Sequence, residues 1–363
     1  MTQLHDRVAH QQVRGPVLNR SRPLGALALV VAAGLLVLSM AIALGVGSVP
    51  VPVPDVLAVV ARRLGLGEFG VTVIDDRLIW QLRMPRVLGA AAVGAALAIC
   101  GAVLQSITRN DLADPYLLGI SGGAAVGAVT VIVLGVSFAG LAGSAAVGAA
   151  AFAGALAALV LVLALATGPG GSLPPARTVL AGVAVGQACA AYTSFLVLMT
   201  GDSHAARRVL TWTLGSVAGV RWDSAIILAV VAVAATLLAL TAGRKLDAFA
   251  FGEVSATSLG INVTRLRWTL LCGTALVTAC VVAFAGMIGF VGLVVPHMVR
   301  ILTGPGHRLL LPMSALAGGL ILVWADLLAR SLVDGREIPL GVVTGVVGAP
   351  FFAFLLRRHR EAG

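Results

Sequence analysis

The 363-residue sequence predicts an all-α polytopic membrane protein of about ten transmembrane helices. Three observations carry this expectation. Apolar residues make up 59% of the chain and 44 glycines come on top of them, whereas a soluble domain holds about 45–50% apolar residues with glycine already counted. Charged residues are 11% and mean hydropathy is +1.02, against about 25% charged residues in a soluble domain. Apolar runs of roughly 20 residues, enough to cross a hydrocarbon core of about 30 Å, recur along the chain. A soluble enzyme or binding module is thereby excluded. So are disorder, which needs low hydrophobicity, and collagen, which needs glycine at every third position.

Residues 1–23 carry Arg7, Arg14, Arg20 and Arg22 and read as a basic cytoplasmic tail. The apolar run 24–46 is longer than the core of about 7–15 residues in a secretory signal and lacks a small-residue cleavage site, so it reads as an uncleaved first span. Residues 47–86 form an outer loop in which PVPVPDVLAVVARRLG predicts an amphipathic helix followed by an extended return. Further spans are expected at 87–107, 117–135, 142–166, 178–199, 224–242, 268–285, 289–302, 311–329 and 339–356. The eighth is short and contains Pro296, which bends or interrupts a helix. The spans make one transmembrane domain, 24–356, closed by a second cytoplasmic tail, 357–363.

An even number of spans places both termini on one side, and loop charge says which. With the termini inside, the inner segments hold fifteen basic and six acidic groups, net +9, and the outer segments ten and eight, net +2, and Asp326 within a span brings the total to +10. Basic residues accumulate on the cytoplasmic side of membrane proteins. The chain's net +10 is therefore a property of topology and lipid contact, and no nucleic-acid partner is needed to explain it. Small residues four apart, at Gly123 and Gly127, Gly182 and Gly186, Gly215 and Gly219, and Gly341 and Gly345, let helix backbones approach closely in lipid.

No GxxxxGK[ST] occurs, so the chain is expected to have no ATP site of its own. The six histidines have no ligand spacing, and no metal site or cofactor is expected. Cys100, Cys189, Cys272 and Cys280 lie inside apolar runs and read as small buried apolar residues. Asp326 is the only carboxylate within a span and sits one turn from Arg330, where an i,i+4 pair holds it. An ion-coupled secondary transporter needs more ionisable groups at membrane depth than this.

Two polar regions remain. Arg83, Arg86 and Arg330 all fall on the outer face; they read either as snorkelling arginines or as a landing place for carboxylates of a docking protein. On the inner face, the loop 243–267 contains EVSATSLG, broken by Gly260, which predicts two short helices with a glycine hinge. That loop is either a solvated connection or a docking element for a cytoplasmic motor.

QLRMPRVLGAAAVGAALAICGAVLQ, TRNDLADPYLLGISGGAAVGA, TVLAGVAVGQ, LTWTLGSVAGVRW, FGEVSATSLGINVTRLR, GMIGFVGLVVPHMVR, GHRLLLPMSALAGGLILVWADLLAR and EIPLGVVTGVVGAPFFAFLL, in this order, resemble the membrane-spanning permease subunits of ABC importers for ferric siderophores, haem and cobalamin, the type II importers. The matches run from about Gln81 to Leu356; Asp111 stands where that family usually has proline. The resemblance implies a ten-helix permease in a bacterial cytoplasmic membrane, paired with a second identical or homologous permease around a central pathway. It further implies two cytoplasmic ATPase subunits, which bind ATP and magnesium, and an extracytoplasmic substrate-binding protein. By position, Arg83, Arg86 and Arg330 match the arginines that receive acidic residues of that binding protein. Gly252, Glu253, Ala256, Leu259 and Gly260 match the coupling element that seats in the ATPase. LTWTLGSVAGVRW looks like the siderophore branch, so an iron siderophore is the expected cargo, with haem and cobalamin as alternatives.

Overall fold

The computed structural model describes residues 21–47, 49–67, 69–333 and 335–360. The expected basic tail before residue 21 and the last three residues lie outside the described residues. In chain order the helices are α1 (Ser21–Gly45), α2 (Val53–Arg63), α3 (Val73–Arg77), α4 (Met84–Thr108), α5 (Ile120–Leu134), α6 (Gly143–Ala166), α7 (Pro175–Thr200), α8 (Ser203–Thr213), α9 (Trp222–Ala250), α10 (Glu253–Ser258), α11 (Val263–Ala285), α12 (Val291–Thr303), α13 (His307–Ser331) and α14 (Leu340–Arg360). Among the described residues the only β-type pairing is an isolated bridge between Phe138 and Leu141.

Each of the ten expected spans has its helix: α1, α4, α5, α6, α7, α9, α11, α12, α13 and α14. Seven helical stretches among the described residues are long and apolar enough to cross a membrane, and α5, α12 and the apolar part of α14 are shorter. The short ones have a local cause. Gly119, at φ 71°, starts α5, and Phe290, at φ 67°, starts α12. Both starts lie inside the bundle, where irregular backbone must find its hydrogen bonds within the protein. Before α12 the Tyr116 hydroxyl supplies them, accepting from Ile288 N–H at 3.0 Å and donating to Ile288 O at 3.1 Å, and before α5 Gly119 N–H donates to Tyr116 O at 3.1 Å.

Three expectations need correction. The return after α2 is extended only as far as Thr72: from Val73 it is helical, and α3 passes through a wide-turn stretch, Leu78–Arg83, straight into α4. Pro85 has no N–H to donate to the preceding turn, and the wide turn lies where that bond is missing. Thr72 caps α3 by accepting Asp75 N–H at 3.1 Å, and Trp222 Nε1 donates to Trp80 O at 2.8 Å. Secondly, α8 was not expected; Asp202 caps it through His204 N–H at 2.8 Å. Thirdly, the loop 243–267 holds one short helix, α10, instead of two. α9 runs on through Arg244 and Lys245 to Ala250, and the second stretch is the first turn of α11, capped by Asn262 accepting Arg265 N–H at 2.9 Å.

The centre of the bundle is α4, buried along most of its length. Its glycines set the spacing of its neighbours. A Cβ on Gly94 would stand 2.1 Å from Gly318 O of α13, and one on Gly101 1.8 Å from Gly292 O of α12. The glycine pairs read from the sequence divide: Gly123, Gly127, Gly182, Gly215 and Gly341 meet backbone at close range, whereas a Cβ on Gly186 or Gly219 would meet nothing within 4 Å. The cysteines divide too, since Cys100 is buried and the other three are half-buried.

Three helices are fastened at one end of the bundle. Asp247 of α9 accepts from His307 N–H at 2.9 Å, capping α13 from another element, and holds His307 Nδ1 at 2.7 Å. His307 Nε2 meets Ser106 Oγ of α4 at 2.6 Å. Although this is a Ser–His–Asp row, His307 is 1% exposed and no substrate can reach it. A Cβ on Gly25, at the start of α1, would meet Leu309 Cδ2 at 3.5 Å, so α1 begins at this end. α14 begins at the other, where Ile338 N–H bonds Ala329 O at 2.9 Å, and runs back, so both described ends of the chain share one end of the bundle.

Candidate functional site

The end of a helix leaves carbonyls without intrahelical partners. At the end of α1 these are met by arginines from elsewhere. Arg83 Nη1 donates to Leu44 O at 2.7 Å and Gly45 O at 3.2 Å, its Nη2 donates to Val49 O, and Arg330 Nη2 donates to Ala43 O. A Cβ on Gly47 would begin 2.8 Å from Arg83 Nη2 and 3.5 Å from Arg330 Nη1, so both guanidiniums crowd this residue.

Arg86 completes the group. Its Nη2 lies 2.9 Å from Asp326 Oδ1 and its Nη1 2.7 Å from Glu337 Oε1. Asp326, 1% exposed, also faces Arg330 Nε at 3.5 Å, so the expected i,i+4 pair exists but Arg86 stands closer. The structure therefore brings Arg83, Arg86 and Arg330 together. Each has partners within the chain: Arg83 is 6% exposed, and the side chains of Arg86 and Arg330 are 13% and 7% exposed. Three cations against two carboxylates leave the cluster net positive, and Glu337, half exposed, is its solvent-facing member.

At the opposite end stands α10. Gly252, at φ 108°, and Gly260, at φ 78°, adopt backbone conformations that side chains disfavour, and they bracket the helix. Ala256 is fully buried and seats α10 against Phe249 of α9 and Leu266 of α11. Glu253 Oε1 accepts from Arg267 Nη2 at 2.7 Å. Leu259 points outward, 70% exposed. Sequence reasoning missed Phe251 and Val254, which are 82% and 83% exposed. The signal was available: apolar residues recur within a polar loop with no helix face to bury them. Phe251, Val254 and Leu259 thus leave an exposed apolar patch on and beside α10.

Between these ends, α5, α7 and α8 wall an open groove of about 810 Å³. Its polar groups are Tyr116, Ser121, Gln187, Thr193, Ser194 and Thr213, and no charged side chain lines it. Outward from the groove, α7 leaves Leu180, Phe195 and Met199 between 60% and 70% exposed, while Leu198, 75% exposed, lines the groove itself. Among the described residues no group of three His, Cys, Asp or Glu side chains is placed to hold a metal ion.

The family model described as the FecCD transport family matches residues 35–358. The chain is 45% identical over 297 residues to the cobalamin import system permease protein BtuC of Halobacterium salinarum, covering 80% of this chain and 76% of that protein. It is 41% identical to the vitamin B12 import system permease protein BtuC of Vibrio cholerae, over 85% of this chain and 91% of that one. The hemin transport system permease protein HmuU of Yersinia pestis is 36% identical, over 84% of this chain and 95% of its own. Among solved structures, an inward-facing metal-chelate type ABC transporter superposes with a TM-score of 0.79 at 29% identity, covering 91% of this chain and 98% of the other.

Proposed function

Because the chain belongs to the FecCD transport family, as a permease subunit of an ABC importer with the ATPase on a separate subunit, we propose that it forms the pathway for a corrinoid of the cobalamin kind. The observation that carries this reading is the uncharged groove of about 810 Å³. Its wall offers no charge that would trap a cargo. The relatives at 45% and 41% identity, both cobalamin permeases by name, favour a corrinoid over the iron siderophore expected from LTWTLGSVAGVRW. A siderophore and haem are the other arms of the test.

In this reading a second permease, identical or homologous, closes the groove from the side of α7. The end carrying α10 and both described ends of the chain faces the cytoplasm, the side that the bias of loop charge favours. There Phe251, Val254 and Leu259 enter the ATPase, with Gly252 and Gly260 as the bends that present α10 and Ala256 as its anchor. The Arg83, Arg86 and Arg330 cluster faces outward and receives carboxylates of the binding protein. Glu337 is the exchangeable partner: an incoming carboxylate takes its place on Arg86.

The test is reconstitution of the chain with the ATPase that co-purifies with it. Liposomes are then supplied with binding proteins loaded with cyanocobalamin, ferrichrome or haem. The expected result is ATP hydrolysis and uptake stimulated by the cyanocobalamin-loaded protein alone. Stimulation only by ferrichrome or by haem overturns the corrinoid assignment. Failure of any ATPase to associate, or uptake that persists without one and collapses with the proton gradient, overturns the importer.

A further inference from the structure

We propose that Arg267 and Trp268, at the start of α11, form the mechanical link through which α10 moves the base of α7. This rests on the importer reading above and names positioning residues for it. Arg267 is 8% exposed and spans two elements: Nη2 reaches Glu253 Oε1 on α10 at 2.7 Å, and Nη1 donates to Leu173 O, just before α7, at 3.3 Å. Its guanidinium carbon stands 5.4 Å from the Phe249 ring centroid at the end of α9. One residue on, Trp268 Nε1 donates to Gly171 O in the same α6–α7 connection at 2.8 Å.

That connection has two mechanically different halves. Gly168–Pro169–Gly170–Gly171 is glycine-rich, with Gly170 and Gly171 at positive φ, so its own torsions do not hold it and the Trp268 bond to Gly171 O is what ties it to α11. Leu173–Pro174–Pro175 is stiff, because two successive prolines fix φ, and it runs directly into the first turn of α7. Arg267 grips the stiff half, where Leu173 is itself 1% exposed. A buried guanidinium deprived of its carboxylate is strongly unfavourable. When an ATPase displaces Glu253, Arg267 follows it and carries the Leu173 carbonyl along. α7 then moves as a wall of the groove, through Gly182, Gly186 and Gln187.

The test follows hydrogen–deuterium exchange in the reconstituted permease–ATPase complex, before and after trapping with ATP and orthovanadate. Peptides covering 253–259 and 171–180 are both expected to change protection in the wild type. In Arg267→Gln and, separately, in the milder Trp268→Phe, the response at 253–259 is expected to persist while that at 171–180 falls by about threefold or more. An undiminished response at 171–180 in both variants overturns the link. Loss of the response at both peptides also overturns it, since the two residues would then only hold the end of the bundle together. Wild-type silence at 253–259 overturns the importer reading, and the link falls with it.

Discussion

A guanidinium at a helix end does two jobs whose energies differ. Arg83 satisfies carbonyls at the end of α1 from a buried position, and leaving a buried acceptor unpaired costs about 1–3 kcal/mol. Arg83→Met is therefore expected to lower stability by about 2 kcal/mol in detergent melts with no partner present; an unchanged melt removes the capping role. Charge reversal at Arg83 or Arg330 is a poor probe of docking for the same reason. Glu337→Gln is cleaner, because Glu337 is half exposed and competes for Arg86. It is expected to tighten the complex with an acidic binding protein by about 0.2–1 kcal/mol, more at low salt; an unaltered Kd takes Arg86 out of the docking surface. A third residue answers to pH. Burial pushes the Asp114 carboxyl, in the α4–α5 connection, up to about 6, against the hydrogen bond it accepts from Tyr116 N–H. An acid whose folded pKa is raised from 3.8 holds its proton longer folded than unfolded, so stability falls as pH rises from about 4 through 6 and then levels. Asp114→Asn keeps the acceptor and removes the titration. The wild type should lose melting temperature relative to this variant across that window, and parallel curves would sink the assignment.

At the scale of elements, what the sequence discloses depends on what fixes each element. Seven of the ten expected spans were legible because an apolar run long enough to cross a membrane is a local property, and the shorter α5, α12 and α14 because their apolar runs are punctuated by local glycine, proline and charge. α3 was not, because its acidic turn VIDDR is held by the Arg63–Asp76 ion pair and, beyond it, by Trp222 on Trp80, partners far along the chain. The extension of α9 to Ala250 was equally hidden: Arg244 and Lys245 look like a boundary, while Leu246 and Phe249, one fully buried and one 1% exposed, continue its inner face. Spacing alone also overcounted the packing glycines. Gly101→Ala should lower stability by about 3 kcal/mol or prevent assembly, since the new methyl would stand 1.8 Å from Gly292 O. Gly219→Ala, with nothing within 4 Å, should stay within about 0.5 kcal/mol of the wild type. Equal melting curves for the two variants would refute the division.

At the scale of the whole molecule, the groove is open along one side, and the exposed face of α7 borders it. If a second permease supplies the other wall, then Phe195→Ala, Leu198→Ala and Met199→Ala together should weaken self-association by about tenfold, read by mass in nanodiscs against concentration. An unchanged dimer places the interface elsewhere. By itself the sequence determined the membrane class, the count and order of the spans, and the motifs that place the chain in its family, because all of these reside in composition and local runs. The tertiary structure alone decided that Arg83, Arg86 and Arg330 share one cluster around Asp326, that Arg267 joins α10 to the base of α7, and which glycines touch backbone. These are pairings across tens to hundreds of residues, set by how helices of nearly uniform apolar composition choose their neighbours, and no local pattern encodes that choice.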